Sequence, residues 1–146
     1  MKIGIIVAMD KEFAQLTTLA TDMKEEMHGQ RKFVTGRIAH NEVVMQQCGI
    51  GKVNSAVGAA EMIAIYHPDL VVSTGVAGGV DTSLEVTNVV VSSECCYHDV
   101  YCGDECKPGQ VLGMPERFGC PKDLVEKATS LDCETHVRSG LIVTGD

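Results

Sequence analysis

A chain of 146 residues with 45% hydrophobic content has the length of one domain and enough apolar material for a buried core. Its net charge of -8, with only 12 scattered Lys and Arg, argues against a nucleic-acid or anionic-membrane surface. No apolar run approaches the ~20 residues that a membrane helix needs, so no membrane partner is expected. The seven cysteines are odd in number and include the adjacent pair Cys95-Cys96. Met1–Met9 is too short for a secretory signal, lacks a small-residue cleavage site and runs straight into Asp10, Lys11 and Glu12. Free thiols in a reducing cytoplasm are the expectation.

In chain order, Lys2–Met9 reads as a buried strand. Asp10 is placed to cap a following helix, in which Phe13, Leu16 and Leu19/Ala20 recur at helical spacing. Arg31–Arg37 and Glu42–Cys48 read as strands joined by a turn at Ile38–Asn41. Gly49-Ile50-Gly51-Lys52 is a turn into a second helix, marked by Val53, Val57, Ala60 and Ile63/Ala64 and ended before Pro68. Leu70–Thr74 and the valine-rich Thr87–Glu94 follow as strands. Residues 99–121 carry Gly103, Pro108, Gly109, Gly113, Pro115, Gly119 and Pro121, a long irregular segment of the kind that is usually functional or interfacial. Pro121–Thr129 reads as a short helix and Val137–Thr144 as a last strand.

The densest signal is at residues 69–79. The apolar run Leu70–Val72 feeds directly into a turn with Gly75, Gly78 and Gly79. Unbroken apolar runs mark strands buried on both faces, and ligands of open α/β sheets sit beyond the carboxyl ends of such strands. Glycines there let the backbone approach a small molecule with no Cβ in the way, although a tight structural turn has the same composition. Glu12 falls in the first turn of the first helix, just past strand one, and so on the same rim. The helix dipole favours a carboxylate there, as a base toward water requires. On spacing alone the ordinary acid preference of helix starts accounts for it better.

Two other clusters carry less. Gly49-Ile50-Gly51-Lys52 lacks the spacing and the Ser/Thr of a phosphate-binding loop, so a turn beside a ligand is the better reading. Cys95, Cys96, His98, Cys102 and Cys106 include no Cys-x-x-Cys pair and have no second cluster, so no metal is expected, and nothing marks one thiol as activated.

Taken together, Lys2–Glu12 (KIGIIVAMDKE), Cys48–Lys52 (CGIGK), Ser73–Gly79 (STGVAGG), Tyr97-His98-Asp99, Gly109–Pro115 (GQVLGMP) and Gly140–Asp146 (GLIVTGD) resemble, in this order, the bacterial 5'-methylthioadenosine/S-adenosylhomocysteine nucleosidases, members of the nucleoside phosphorylase/hydrolase family. The resemblance runs the length of the chain. It implies a single α/β domain over 1–146, three-layered, with a mixed, twisted central sheet flanked by helices. It implies hydrolysis of an N-glycosidic bond with no cofactor, releasing adenine and a thioribose. Its catalytic water would be held by Glu12, and its substrate would be lined by Ala8, Met9, Ile50, Val76, Ala77 and Gly78. The loop with Tyr101, Val111, Leu112, Met114 and Pro115 would belong to a homodimer contact that closes the 5'-alkylthio pocket.

Phosphorylases of the fold hold phosphate with an arginine at the position of Ser73. No Lys or Arg occurs between Lys52 and Lys107. A buried phosphate dianion would lack a partner, which favours water as nucleophile. In the family, adenine is gripped just beyond Gly145-Asp146, the ribose by a later Met-Glu pair, and the purine is protonated by an aspartate of a later Ser-Asp motif. None of these is among the 146 residues. The chain is therefore expected to be the amino-terminal part of such an enzyme, inactive by itself. A non-catalytic adenine-nucleoside binder, a phosphorylase and an aminodeoxyfutalosine hydrolase of the same fold stay open as alternatives.

Overall fold

The first apolar run forms β1 (Lys2–Val7), which lies in the interior of a five-stranded sheet. The structure is a computed structural model that describes all of residues 1–146, and the chain divides into two units, Met1–Ala77 and Gly78–Asp146.

In the first unit, α1 (Asp10–Thr17) follows β1, then β2 (Thr21–His28), β3 (Arg31–Ile38), β4 (Asn41–Gln47), α2 (Lys52–Tyr66) and β5 (Leu70–Ser73). The strand order is β2-β3-β4-β1-β5. β1 is parallel to both β4 and β5, whereas β2, β3 and β4 form an antiparallel meander. The side-chain period of two then sorts the apolar residues onto two faces. Ile5, Val34, Val43 and Met45 pack with Ala20, Phe13 and Leu16 on one side. Ile6, Phe33, Val44, Cys48 and Met62 pack with Ala59 and Tyr66 on the other. This unit is thus three layers, α1, sheet and α2, as expected. Close approach of α2 requires small residues at two points. A Cβ on Gly4 would stand 2.4 Å from Met62 Sδ, and one on Gly58 would stand 2.6 Å from Gln46 Oε1.

Several boundaries differ from the sequence reading, among them the end of β1 at Val7 rather than Met9, and one strand, β2, is additional. The helix cap is Met9, and Asp10 is the first helical residue, because Glu12 reaches back to the Met9 N–H and starts the helix one residue early. The helix ends at Thr17, so Leu19 and Ala20 lie in the turn beyond it; Ala20 still joins the core. β2 had no sequence signal: Lys24, Glu25 and Glu26 are poor strand formers, Met23 and Met27 are spaced as in a helix, and the whole strand is exposed. Pairing with β3 imposes the strand.

The second unit holds β6 (Val89–Tyr97), β7 (Phe118–Gly119), α3 (Lys122–Thr129) and β8 (Val137–Thr144), with strand order β7-β6-β8. β6 runs parallel to β8 and antiparallel to β7. β6 begins two residues later than the composition suggests, because Thr87 turns with φ 80° and Asn88 closes onto Glu85. β7 is two residues long and lies inside the segment read as irregular. The α/β class holds, with mixed strands in both sheets.

Candidate active site

Glu12 is the third residue of α1, past the end of β1. Its side chain folds back over the strand end. Oε2 accepts the N–H groups of Ala8, at 3.1 Å, and Met9, at 2.9 Å. Oε1 accepts the Val76 N–H at 2.9 Å, from the turn that follows β5. β1 and β5 are parallel neighbours, and Thr74 donates to the Ile6 carbonyl, so both strand ends arrive at one rim. Gly75 is the residue that lets them meet: a Cβ there would stand 2.5 Å from Glu12 Oε1. The glycine read as clearance for a ligand makes room, in the structure, for the carboxylate itself.

This arrangement limits what the carboxylate can do. Each oxygen has about two acceptor directions. Oε2 uses both on backbone donors and Oε1 uses one, which leaves a single direction on Oε1 for an outside proton donor. Three backbone N–H groups on rigid elements also hold the carboxylate in one orientation. The chemistry that suits a held, acceptor-only group with one free lone pair is the orientation of a water molecule.

Ala8, Met9, Val76 and Glu12 are therefore brought together by hydrogen bonds. Ile50 lies in the turn between β4 and α2 and is 74% exposed; Val76 is 80% exposed. The end of β4, beneath the Ile50 turn, is joined to the end of β1 by Cys48, whose N–H donates to the Val7 carbonyl at 2.9 Å and whose thiol does so at 3.3 Å. Burial pushes the Cys48 thiol pKa up, which keeps it protonated as a donor. No sequence cue marks this tie, since a single cysteine before a glycine turn has no pattern. Ala77 follows Val76, and Gly78, the first residue of the second unit, has open space around its Cα. Two open clefts of the first unit, of about 410 and 300 Å³, are polar and neither is lined by Glu12.

The second unit carries the other residues singled out. Tyr101 donates to Asp104 at 2.7 Å, which raises its phenol pKa, and Gln110 Nε2 donates to the Met114 carbonyl at 2.9 Å. Tyr101, Leu112, Met114 and Pro115 are exposed, and Val111 is half-buried. All seven cysteines are free thiols, and no group of three or more His, Cys, Asp or Glu gathers as a metal site. No helix is long and apolar enough to cross a membrane.

Known proteins share the sequence and fold of this chain. The 5'-methylthioadenosine/S-adenosylhomocysteine nucleosidase of Hydrogenovibrio crunogenus is 41% identical, over all of this chain and 65% of its own length. The Colwellia psychrerythraea nucleosidase of that name, solved with adenine, superposes with a TM-score of 0.91 at 40% identity, over 100% of this chain and 62% of its own. The Neisseria meningitidis enzyme, solved with methylthio-immucillin-A, gives a TM-score of 0.92 at 34% identity, over 99% and 64%. The chain thus spans slightly less than two thirds of the length of these relatives. A family model described as the phosphorylase superfamily matches residues 2–146, and the chain belongs to that superfamily.

Proposed function

We propose that this chain forms the water-positioning part of a nucleosidase that hydrolyses the N-glycosidic bond of 5'-methylthioadenosine and S-adenosylhomocysteine. The observation that carries the reading is Glu12, held by three backbone N–H groups with one acceptor direction left on Oε1. A water placed there presents its oxygen to the anomeric carbon. As the bond from that carbon to the purine nitrogen breaks, its electron pair leaves with adenine, which takes up a proton. The water oxygen bonds to carbon and gives up a proton to the carboxylate. Positive charge builds on the sugar in the transition state, and the same carboxylate stabilises it. Met9 and Ile50 would pack on the sugar, and the turn Val76-Ala77-Gly78 would line the pocket. Relatives that bear the nucleosidase name and were solved with adenine or methylthio-immucillin-A support the substrate class. Ser73 and the absence of any Lys or Arg from Val53 to Cys106 support water over phosphate.

The exposed Tyr101, Leu112 and Met114 suit a homodimer contact made with Val111 and Pro115, and seven free thiols suit the cytoplasm. Sedimentation of the protein and of a Leu112→Asp variant tests the dimer.

The decisive experiment uses the protein made from the complete coding sequence. Glu12→Gln keeps the shape of the side chain and loses its charge. It is expected to lower kcat about 10²–10⁴-fold, and to lower thermal stability as well, because its Nε2 cannot accept the N–H that one carboxylate oxygen accepts. Wild-type turnover in Glu12→Gln sinks the reading, and a phosphorylated sugar product that depends on added phosphate replaces it with a phosphorylase.

A further inference from the structure

Tyr97-His98-Asp99 has no part in the Glu12 arrangement, yet in the structure it closes over the end of β8. β6 and β8 run parallel and finish together at the pair Tyr97↔Thr144. The His98 N–H donates to the Thr144 carbonyl at 3.0 Å. One residue on, Asp99 Oδ2 accepts the Asp146 N–H at 3.0 Å. Gly145 passes between these two ties. A Cβ there would stand 2.6 Å from the His98 ring and 2.9 Å from Asp99 Cγ, so a side chain must displace one or the other.

Asp99 is also braced from behind. The Gly109 N–H donates to the Val100 carbonyl at 2.9 Å. Gly109 has φ 84° and lies against Tyr97, where a Cβ would meet the Tyr97 carbonyl oxygen at 2.1 Å. The backbone on both sides of His98-Asp99 is therefore tied, and the carboxylate is presented on a supported loop.

The carboxyl ends of parallel strands are where α/β folds bind ligands, through the backbone of the segments that leave them. A carboxylate that holds a peptide N–H two residues beyond a strand fixes the direction of the peptide groups that follow. We propose that Asp99 is a positioning residue for substrate binding: by holding the Asp146 amide it sets the path of the chain leaving β8, and with it the affinity for the adenine nucleoside. This rests on the nucleosidase reading above. Asp99 touches no reacting atom, so its effect falls on binding and leaves the chemical step alone.

The test measures kcat, KM for 5'-methylthioadenosine and Tm for the protein from the complete coding sequence. Asp99→Ala removes the acceptor; the expected result is a KM raised about tenfold or more with kcat within about threefold, the signature of lost uniform binding. Asp99→Asn keeps an acceptor oxygen at the same distance and is expected to return KM to within about threefold of wild type. Gly145→Ala leaves the carboxylate but drives a Cβ against both it and the His98 ring, which disturbs the two ties on either side of Gly145, and is expected to raise KM as Asp99→Ala does. An unchanged KM in Asp99→Ala overturns the proposal, as does a raised KM that Asn does not relieve. Should Asp99→Ala fail to fold, a wild-type KM in Gly145→Ala overturns it alone. A wild type that turns over no 5'-alkylthioadenosine sinks the nucleosidase reading instead, before any variant is compared.

Discussion

Between Met1 and Ala77 the sheet buries apolar side chains on both faces, Ile5 and Met45 toward α1 and Ile6 and Phe33 toward α2. Between Gly78 and Asp146 no hydrophobic side chain reaches the same burial. That unit relies on strand pairing and on exposed charge. Arg138 donates to Ser83 at 2.8 Å and to Asp81, Arg117 donates to Glu94 at 3.0 Å, and Lys107 lies 3.1 Å from Glu116. The contrast teaches which physical term guards each geometry. Apolar burial responds to lost volume and hardly to salt. Exposed ion pairs are each worth little and are screened by electrolyte.

Phe33→Ala should break the comparison most visibly. Phe33 is fully buried against Tyr66, with ring centroids 5.2 Å apart. Its truncation is expected to cost about 3–5 kcal/mol in denaturant unfolding. The half-buried Ile142 of β8 should cost about 1 kcal/mol when cut to Ala. Equal costs at the two positions would erase the distinction.

The buried core also holds a fault. Gln46 is fully buried beneath Gly58, and neither Nε2 nor Oε1 of its amide has a hydrogen-bond partner in the chain. Replacing it with Leu removes an unpaired polar group and is expected to stabilise the protein by about 1–2 kcal/mol. Destabilisation of that size would mean that the amide is satisfied in solution.

A smaller effect is expected from Arg138→Ala. It should lower the hydrogen-exchange protection of the second unit in dilute buffer and leave it nearly unchanged at about 1 M salt, where the screening length falls to about 3 Å. Asp81 supplies a matching acid limit. The Ser83 N–H and hydroxyl, and then the Arg138 guanidinium, hold its carboxyl pKa down to about 2. A folded value below the ordinary ~3.9 favours folding while the group is ionised. The contribution is intact above about pH 4 and fades as pH falls through about 2. Loss of protection in the second unit already at pH 5 would assign it to other groups.

The gentlest probe leaves the sequence intact. Cys48, buried and with its thiol pKa raised by desolvation, should be the slowest of the seven thiols to alkylate, and Cys102 and Cys133, both exposed, the fastest. Mass spectrometry of timed samples reads the order directly. Early labelling of Cys48 would show the end of β4 opening.

How much of this was legible in the sequence follows from the range of the forces involved. β1, β4, β5 and β8 announce themselves as apolar runs, and α2 by Val53, Val57 and Ala60 at helical spacing, because burial acts residue by residue. β2 is invisible because its eight exposed residues owe their conformation to β3. Glu12 was found by its place at a helix start and by resemblance. That Gly75 exists to admit its carboxylate left no local pattern, and neither did the hold of Asp99 on Asp146, 47 residues away. Both are contacts between distant strand ends, which periodicity does not record.

The three donors to Glu12 differ in how far they come. Ala8 and Met9 stand four and three residues away, and Val76 stands 64 away. The first two bonds form with the helix itself, at the cost of closing one turn. The third must wait until the chain has looped round through β2, β3, β4 and α2, and β5 has docked against β1. Contacts of such sequence separation are slow to form. Until β5 docks, the carboxylate is held from one side only. The Val76 amide becomes a timer: its protection in pulsed hydrogen exchange marks the moment at which the carboxylate acquires its final direction.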